Sequence, residues 1–334
     1  MLYPTPEGFV TEMRYVERFR TVLSRIGLGA ARFGSLLSED LSFQMMDLFI
    51  QNGGNVIDTA RNYYEWVENG RGASEKTIGK WLTLRGIRDK VVLSTKGGVK
   101  NNGGTFVPDL SLGNLMRECE ESLDALRTDR LDIYLLHRDE PGRPVGEIMD
   151  ALQELKTRSG ARAVGVCNWS AGRVRAANEY AEMNGLTPLD IVQTYWSIAA
   201  YTKAMWNDPT TTGMDEGMYT YLLERNMTAM AFTSQAKGFF QKAVCDGVER
   251  VPPKLLERVG SSENMSRLRA IQHYCEQRNV SPTAVVNAYI TQNPLPSVAL
   301  VSCSSLDQLR DILQSCEIQV DDDWLRRFDP ISSN

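Results

Sequence analysis

Residues 131–170 read LDIYLLHRDEPGRPVGEIMDALQELKTRSGARAVGVCNWS. An apolar run from Leu131 to Leu136 stops at His137, and a second from Ala163 to Cys167 stops at Asn168. Between them, GEIMDALQELKTRSG spaces its apolar residues for one face of a helix and closes on a glycine. Strand, helix and strand in that order make a βαβ unit, whose strands pair in parallel. Buried parallel strands read as near-continuous apolar runs, so a polar residue that ends one is rarely idle.

The same rhythm extends in both directions. Upstream, the strand VVLSTK is followed by the helix LSLGNLMRECEESLDALR, and the strand NVIDTA by the helix ASEKTIGKWLTLRG. Before these, a strand runs into the glycines of IGLGAARFG, and SEDLSFQMMDLFIQNGG is a helix with Ser38 as N-cap and Gly53 as stop. Polar and apolar residues alternate over 13–26, which predicts a short hairpin. Downstream come the helix SAGRVRAANEYAEMNG, then the strands DIVQTYW, TAMAFT and PSVALVSC. The strands number eight, and the expectation is an α/β chain folded as a (β/α)8 TIM barrel, a fold of about 250 residues or more. Residues 1–334 then form one domain, with an N-terminal hairpin. Two long connections, 197–214 and 234–262, follow strands and so are expected over the C-terminal face, as lids or extra helices.

The chain carries a net charge of −5, which disfavours a nucleic-acid or anionic-membrane binder. No apolar run approaches the roughly 18 residues of a membrane span. The opening MLYPTPEGFVTEMRY lacks a secretory pattern, and no two of the six cysteines form C-x-x-C, so reduced thiols in the cytoplasm are expected. Two histidines, His137 and His273, leave little room for a histidine metal site. The helical Glu118, Glu120, Glu121 and Asp124 read as a solvated face, and the glycines at 97–98 and 103–104 as a flexible loop after Lys96.

Five strands reach a polar residue: Asp58, Lys96, His137, Asn168 and Gln193. In a parallel barrel these ends share one face, the face that carries active sites. An Asp–Lys pair alone is often structural, but the joint pattern points to chemistry. With Tyr63, the pair makes a proton donor: the ammonium lowers the phenol's pKa, and the carboxylate keeps the ammonium charged. His137 can hydrogen-bond the same reacting oxygen, and Asn168 and Gln193 offer amides that can hold a carboxamide.

The run DTARNYY resembles the D-T-A-x-x-Y segment of the aldo-keto reductases. The resemblance continues through GASEKTIGKWL, VVLSTK, LDIYLLHRDEP, VGVCNWS, IVQTYW, AFTSQAKGFF and SVALVSCSSLDQL, in order and over nearly the whole chain. It is nearer the bacterial members than the vertebrate aldose-reductase branch. It implies a barrel that binds NADPH extended across its C-terminal face, with Asp58, Tyr63, Lys96 and His137 catalytic and Tyr63 the acid in reduction. It places Asn168 and Gln193 on the nicotinamide carboxamide and Phe232 on the ring. It runs Thr233, Gln235, Lys237 and Gly238 along the pyrophosphate, with Ser302, Ser304, Ser305 and Gln308 around the adenosine.

Two departures stand out. Ser302 occupies a position where glycine or lysine is common, and Ser304 one where arginine is common. Loss of the guanidinium that pairs with the cofactor's 2′-phosphate predicts that NADH competes with NADPH, unless Arg310 or a lid residue substitutes. Cys167 replaces a common serine, and a redox role for it would need a lowered pKa.

Phe33, Trp66, Arg138, Trp169 and Trp196 are the candidate substrate walls, suited to a sugar-like or carboxylated carbonyl compound. The leading expectation is NAD(P)H-dependent reduction of an aldehyde or ketone to its alcohol. The alternative is a non-catalytic, cofactor-sensing subunit on the same fold. A Schiff-base lyase using Lys96 is opposed by Asp58, which keeps the amine charged. Oligomeric state is open.

Overall fold

The computed structural model describes residues 13–102, 105–202, 205 and 208–331. The reading of residues 1–12 and of the Gly103–Gly104 pair lies outside these.

The expected hairpin is β1 (Tyr15–Arg18) and β2 (Thr21–Ser24), joined by Phe19 and Arg20. Both turn residues have positive φ, 54° and 57°. This is the two-residue turn whose twist matches its strands, here made without the usual glycine or asparagine. Then follow β3 (Ile26–Gly29), α1 (Glu39–Gln51), β4 (Val56–Asp58), α2 (Ala73–Arg85) and β5 (Val92–Gly97). Ser38 caps α1 through its side chain, accepting from the Leu41 amide. A ribbon of β6 (Val99–Asn102) and β7 (Thr105–Pro108) comes next, where the sequence suggested a flexible loop.

The chain continues through α3 (Leu112–Leu126), β8 (Ile133–Leu136), α4 (Val145–Ser159), β9 (Ala163–Cys167), α5 (Ala171–Met183), β10 (Ile191–Tyr195) and α6 (Glu216–Glu224). After β11 (Thr228–Phe232), the long connection holds α7 (Phe239–Asp246) and α8 (Pro253–Val259), followed by α9 (Ser262–Arg278) and α10 (Pro282–Thr291). The described chain ends with β12 (Ser297–Val301), α11 (Leu306–Ser315) and α12 (Asp322–Arg326). Strands β3, β4, β5, β8, β9, β10, β11 and β12 close into one parallel barrel in chain order, each of the eight coming from an expected segment.

Side chains alternate across each strand, and the alternation builds the site. Val56, Val92, Ile133, Ala163, Ile191 and Met230 fill the barrel interior, and Leu23 from β2 joins them, with Phe19 packed against the cluster. The hairpin therefore closes one end of the barrel. Ile57, Leu93, Val164 and Val192 face the surrounding helices. Two residues on from an inward position the side chain points inward again, which carries Asp58, Ser94, Lys96, His137, Cys167 and Gln193 to the inner face at its C-terminal end.

Candidate active site

Lys96 is fully buried, and its ammonium donates to Asp58 Oδ2 at 2.6 Å, Thr59 O at 2.7 Å and Tyr63 Oη at 2.7 Å. An ammonium has three hydrogens, and all are engaged. Asp58 also accepts from Ser94 Oγ at 2.9 Å and Gln193 Nε2 at 3.0 Å. Burial works against the Lys96 charge, but Asp58 and Tyr63 outweigh it and hold the ammonium above its ordinary pKa. That leaves no free amine for a Schiff base.

Tyr63 differs from the expectation of a depressed pKa. Burial raises the phenol most, Lys96 lowers it, Asp58 raises it again, and the balance is about 12. The ammonium's pull is present but does not win in this dry site. The phenol stands 3.5 Å from Asp58 Oδ2, beyond a good O–H···O bond, so its proton is loosely held and available to a ligand.

The His137 ring meets Tyr63 edge to face at 5.7 Å between centroids. Its Nδ1 lies 3.0 Å from the carboxamide of Asn62. Burial first, then Arg138 and Lys96, push its pKa well below the ordinary value, so the imidazole is neutral. Asn168 takes a left-handed backbone, φ 60°, which asparagine tolerates at a strand end. Its amide donates to His137 O at 3.4 Å and accepts from the Thr212 amide at 3.3 Å.

A cavity of about 380 Å³ opens above these groups, with Asp58, Tyr63, His137, Asn168, Gln193 and Phe232 in its wall. Tyr64, Trp66, Phe106 and Arg138 complete the outer part, and Asp208 and Thr211 come from the 197–214 connection. Trp66 and Phe106 meet edge to face at 6.2 Å. A groove of about 910 Å³ continues from it past Thr233, Gln235, Lys237, Gly238, Ser302, Ser304 and Gln308. The two share Ala31, Tyr64, Thr233, Leu300 and Ser302. The groove's loop is strained: Thr233, Ala236 and Lys237 all have positive φ, 53°, 47° and 57°. Strain of this kind concentrates at ligand-holding sites. Burial and Arg258 lower the Lys237 pKa.

Several expected residues lie elsewhere. Phe33 is 2% exposed and packs in the core, where its backbone bridges to Leu37. Trp169 and Trp196 face outward from the barrel into a second cavity that meets the first only at Asp208 and Thr211, and Trp196 Nε1 donates to Tyr289 Oη at 3.3 Å. Ser305 is outside the groove wall, its hydroxyl capping α11. Arg138 does line the cavity, but its guanidinium is held by Asp208 at 2.9 Å, Thr210 at 2.9 Å and His137 O at 2.8 Å. Its charge anchors the neighbouring connection rather than waiting for a carboxylate ligand. Glu118 is turned inward, accepting from the Gly98 amide at 2.6 Å, and is not part of a solvated face. The Cys167 thiol is pushed up to about 12, chiefly by burial, which removes the basis for a redox role. All six cysteines are free. Among the described residues no helix is long and apolar enough to cross a membrane, and no cluster of metal-ligating side chains occurs.

Asn62, Phe106 and Arg32 were missed by the sequence reading. Arg32, in the connection after β3, donates to Ser304 Oγ at 2.7 Å and lines the groove. Arg310 pairs instead with Asp307 and does not line it.

Several known proteins are similar to this chain in sequence. The "Uncharacterized oxidoreductase YrpG" of Bacillus subtilis is 28% identical over 327 residues, 96% of this chain and 95% of that protein. The norsolorinic acid reductase stcV of Emericella nidulans is 25% identical over 90% of this chain and 76% of its own length. The aryl-alcohol dehydrogenase [NADP(+)] of Phanerodontia chrysosporium is 33% identical over 193 residues, 53% of this chain and 49% of its own. The model of the aldo/keto reductase family matches residues 25–333, and the chain belongs to that family.

Proposed function

We propose that this chain, acting as one barrel domain, reduces aryl aldehydes or ketones to alcohols with a reduced nicotinamide dinucleotide. The observation that carries the reading is the buried Asp58–Lys96–Tyr63 chain, with the phenol and His137 side by side at the floor of an aromatic cavity. The joined groove suits the cofactor: its strained loop and its donors Arg32, Lys237, Ser304 and Gln308 fit an extended dinucleotide. When bound, the cofactor supplies hydride to the carbonyl carbon. Tyr63 gives its proton to the carbonyl oxygen, Lys96 stabilises the phenolate that remains, and Asp58 holds Lys96 charged. His137 orients the same oxygen, and Asn168 and Gln193 are the candidates to hold the nicotinamide amide.

Tyr64, Trp66, Phe106 and Phe232 favour a flat aromatic substrate over a sugar, because stacking faces dominate the wall and the Arg138 charge is already paired. The names of two relatives, an aryl-alcohol dehydrogenase and a norsolorinic acid reductase, accord with that choice. A panel of benzaldehydes, aryl ketones and open-chain sugars, assayed by cofactor oxidation, tests it. Higher kcat/KM for the aryl compounds is expected; a preference for sugars would reject the aromatic reading.

Arg32 revises the expectation about cofactor choice. It brings a guanidinium to Ser304, the position where the family's arginine is missing, and so supports NADPH as a good cofactor. Arg32→Ala should raise the KM for NADPH about 10- to 100-fold, the loss of one charged hydrogen bond, and leave that for NADH nearly unchanged. Equal change in both would show that Arg32 does not meet the 2′-phosphate.

The pH profile follows from the two neighbouring groups. Reduction needs a protonated phenol, and Tyr63 stays protonated well below about 12. His137, with its pKa pushed well below the ordinary imidazole value by burial and the Arg138 and Lys96 charges, is neutral at and above neutral pH. The kcat/KM for reduction should therefore be flat between about pH 6 and 9, while alcohol oxidation rises with pH. A steep inflection near neutrality in the reductive direction would contradict the assignment of the acid.

A further inference from the structure

Asn62 sits in the turn after β4, one residue before Tyr63, and is 4% exposed. As placed, its Oδ1 is 3.0 Å from His137 Nδ1, and its Nδ2 is buried without a hydrogen-bond partner; oxygen and nitrogen of such an amide are nearly interchangeable in shape. The choice of which end of that amide meets the imidazole has a chemical consequence. If Oδ1 faces Nδ1, the ring proton sits on Nδ1, and Nε2 offers a lone pair to the cavity. A lone pair cannot bind a carbonyl oxygen. If the amide is turned about its Cβ–Cγ bond, Nδ2 donates to Nδ1, and Nε2 carries the proton. A neutral imidazole then donates to the carbonyl.

The turned amide also gives the orphaned Nδ2 a partner. It leaves Oδ1 under-satisfied instead, and a buried carbonyl oxygen short of a partner is tolerated more often than a buried N–H. Burial, Lys96 and Arg138 all disfavour a second ring proton, so the tautomer decides what the ring can do. Among the described residues, no other side chain is seen in hydrogen-bond contact with Nδ1.

We propose that Asn62 is a positioning residue whose Nδ2–H donates to His137 Nδ1 and so holds the imidazole as the Nε2–H tautomer that binds a carbonyl oxygen. This rests on the reading of His137 as a partner of the reacting oxygen.

The chain has only two histidines, so a histidine-labelled sample gives two imidazole signals, and the exposed His273 serves as the internal reference. Long-range proton–nitrogen correlation spectra of the full chain distinguish the two tautomers and the cation directly. The wild type is expected to show His137 as Nε2–H. Asn62→Asp presents only acceptors, and should move the proton to Nδ1 or produce the doubly protonated ring. Reductive kcat should then fall about 10- to 100-fold, with the KM for NADPH little changed. Asn62→Leu should give a mixture of tautomers and an intermediate kcat. A wild-type ring protonated at Nδ1, or an Asn62→Asp ring still protonated at Nε2 alone, overturns the proposal. Either result would leave the reductase reading intact if aryl aldehydes turn over. A tautomer that shifts as expected, in a protein that reduces no carbonyl, supports the Asn62 contact while rejecting the reductase reading.

Discussion

Replacing Tyr63 with phenylalanine should lower aldehyde turnover about 10²- to 10⁴-fold, the usual worth of a positioned general acid, while NADPH still binds. The ring fills the same space in both side chains, so the edge-to-face contact with His137 at 5.7 Å survives. What disappears is the phenol oxygen 2.7 Å from the Lys96 ammonium at the cavity floor. Lys96 keeps Asp58 and Thr59 O as partners, so the fold should lose little. Parallel titration of cofactor binding separates the outcomes. Loss of turnover with intact binding fits an acid, and near-normal turnover would remove Tyr63 from that role.

Lys96→Met is the second large effect, and it acts on stability as well as rate. It leaves the buried Asp58 carboxylate without its cation, and breaking a buried pair in this way costs about 3–5 kcal/mol. Asp58→Asn in the same chain removes the stranded charge. The double variant should therefore recover most of the lost stability, since a buried pair replaced by neutral groups is often close to neutral. Activity should not recover, because nothing remains to stabilise the Tyr63 phenolate. Urea unfolding midpoints and aldehyde turnover, measured on both variants, check this. A double variant that regains turnover would show the pair to be structural only.

The barrel was legible because its signal is local. Each parallel strand is buried on both faces and so reads as an apolar run, and turn residues such as Gly86 and Gly160 mark the helix ends. Side-chain alternation then fixes that Asp58, Lys96, His137 and Gln193 share the inner face. Applied further, the same alternation argues against Trp196: it lies three residues past the inward Gln193 and so points out, toward Tyr289. Phe33 was misread because an aromatic residue near a strand end suggested a wall, whereas tertiary packing takes it into the core. Arg32, Asn62 and Phe106 were not legible. Their roles depend on contacts across separations such as Asn62 to His137 and Arg32 to Ser304, which no local pattern encodes. Phe106 reaches the cavity only because Val99–Asn102 and Thr105–Pro108 pair as a ribbon, where the sequence suggests a loop.

The departure at Ser304 shows the same limit. Read along the chain, a missing arginine implied weakened 2′-phosphate recognition. In space, another arginine, from the connection after β3, stands beside that position. The candidate acid group sits at the strand ends, which local pattern reveals, whereas Arg32 and Phe106 come from connections whose placement is set only in three dimensions.

The central claim is hydride delivery to a carbonyl carbon with Tyr63 as the proton donor. It is tested most directly by incubating the protein with NADPH deuterated at the transferable ring position and an aryl aldehyde, then locating the label in the alcohol. Deuterium on the carbinol carbon with the wild type, and a large loss of labelled product with Tyr63→Phe, is the expected result. Tight NADPH binding with no label passed to any carbonyl compound would contradict the claim and favour a cofactor-sensing protein.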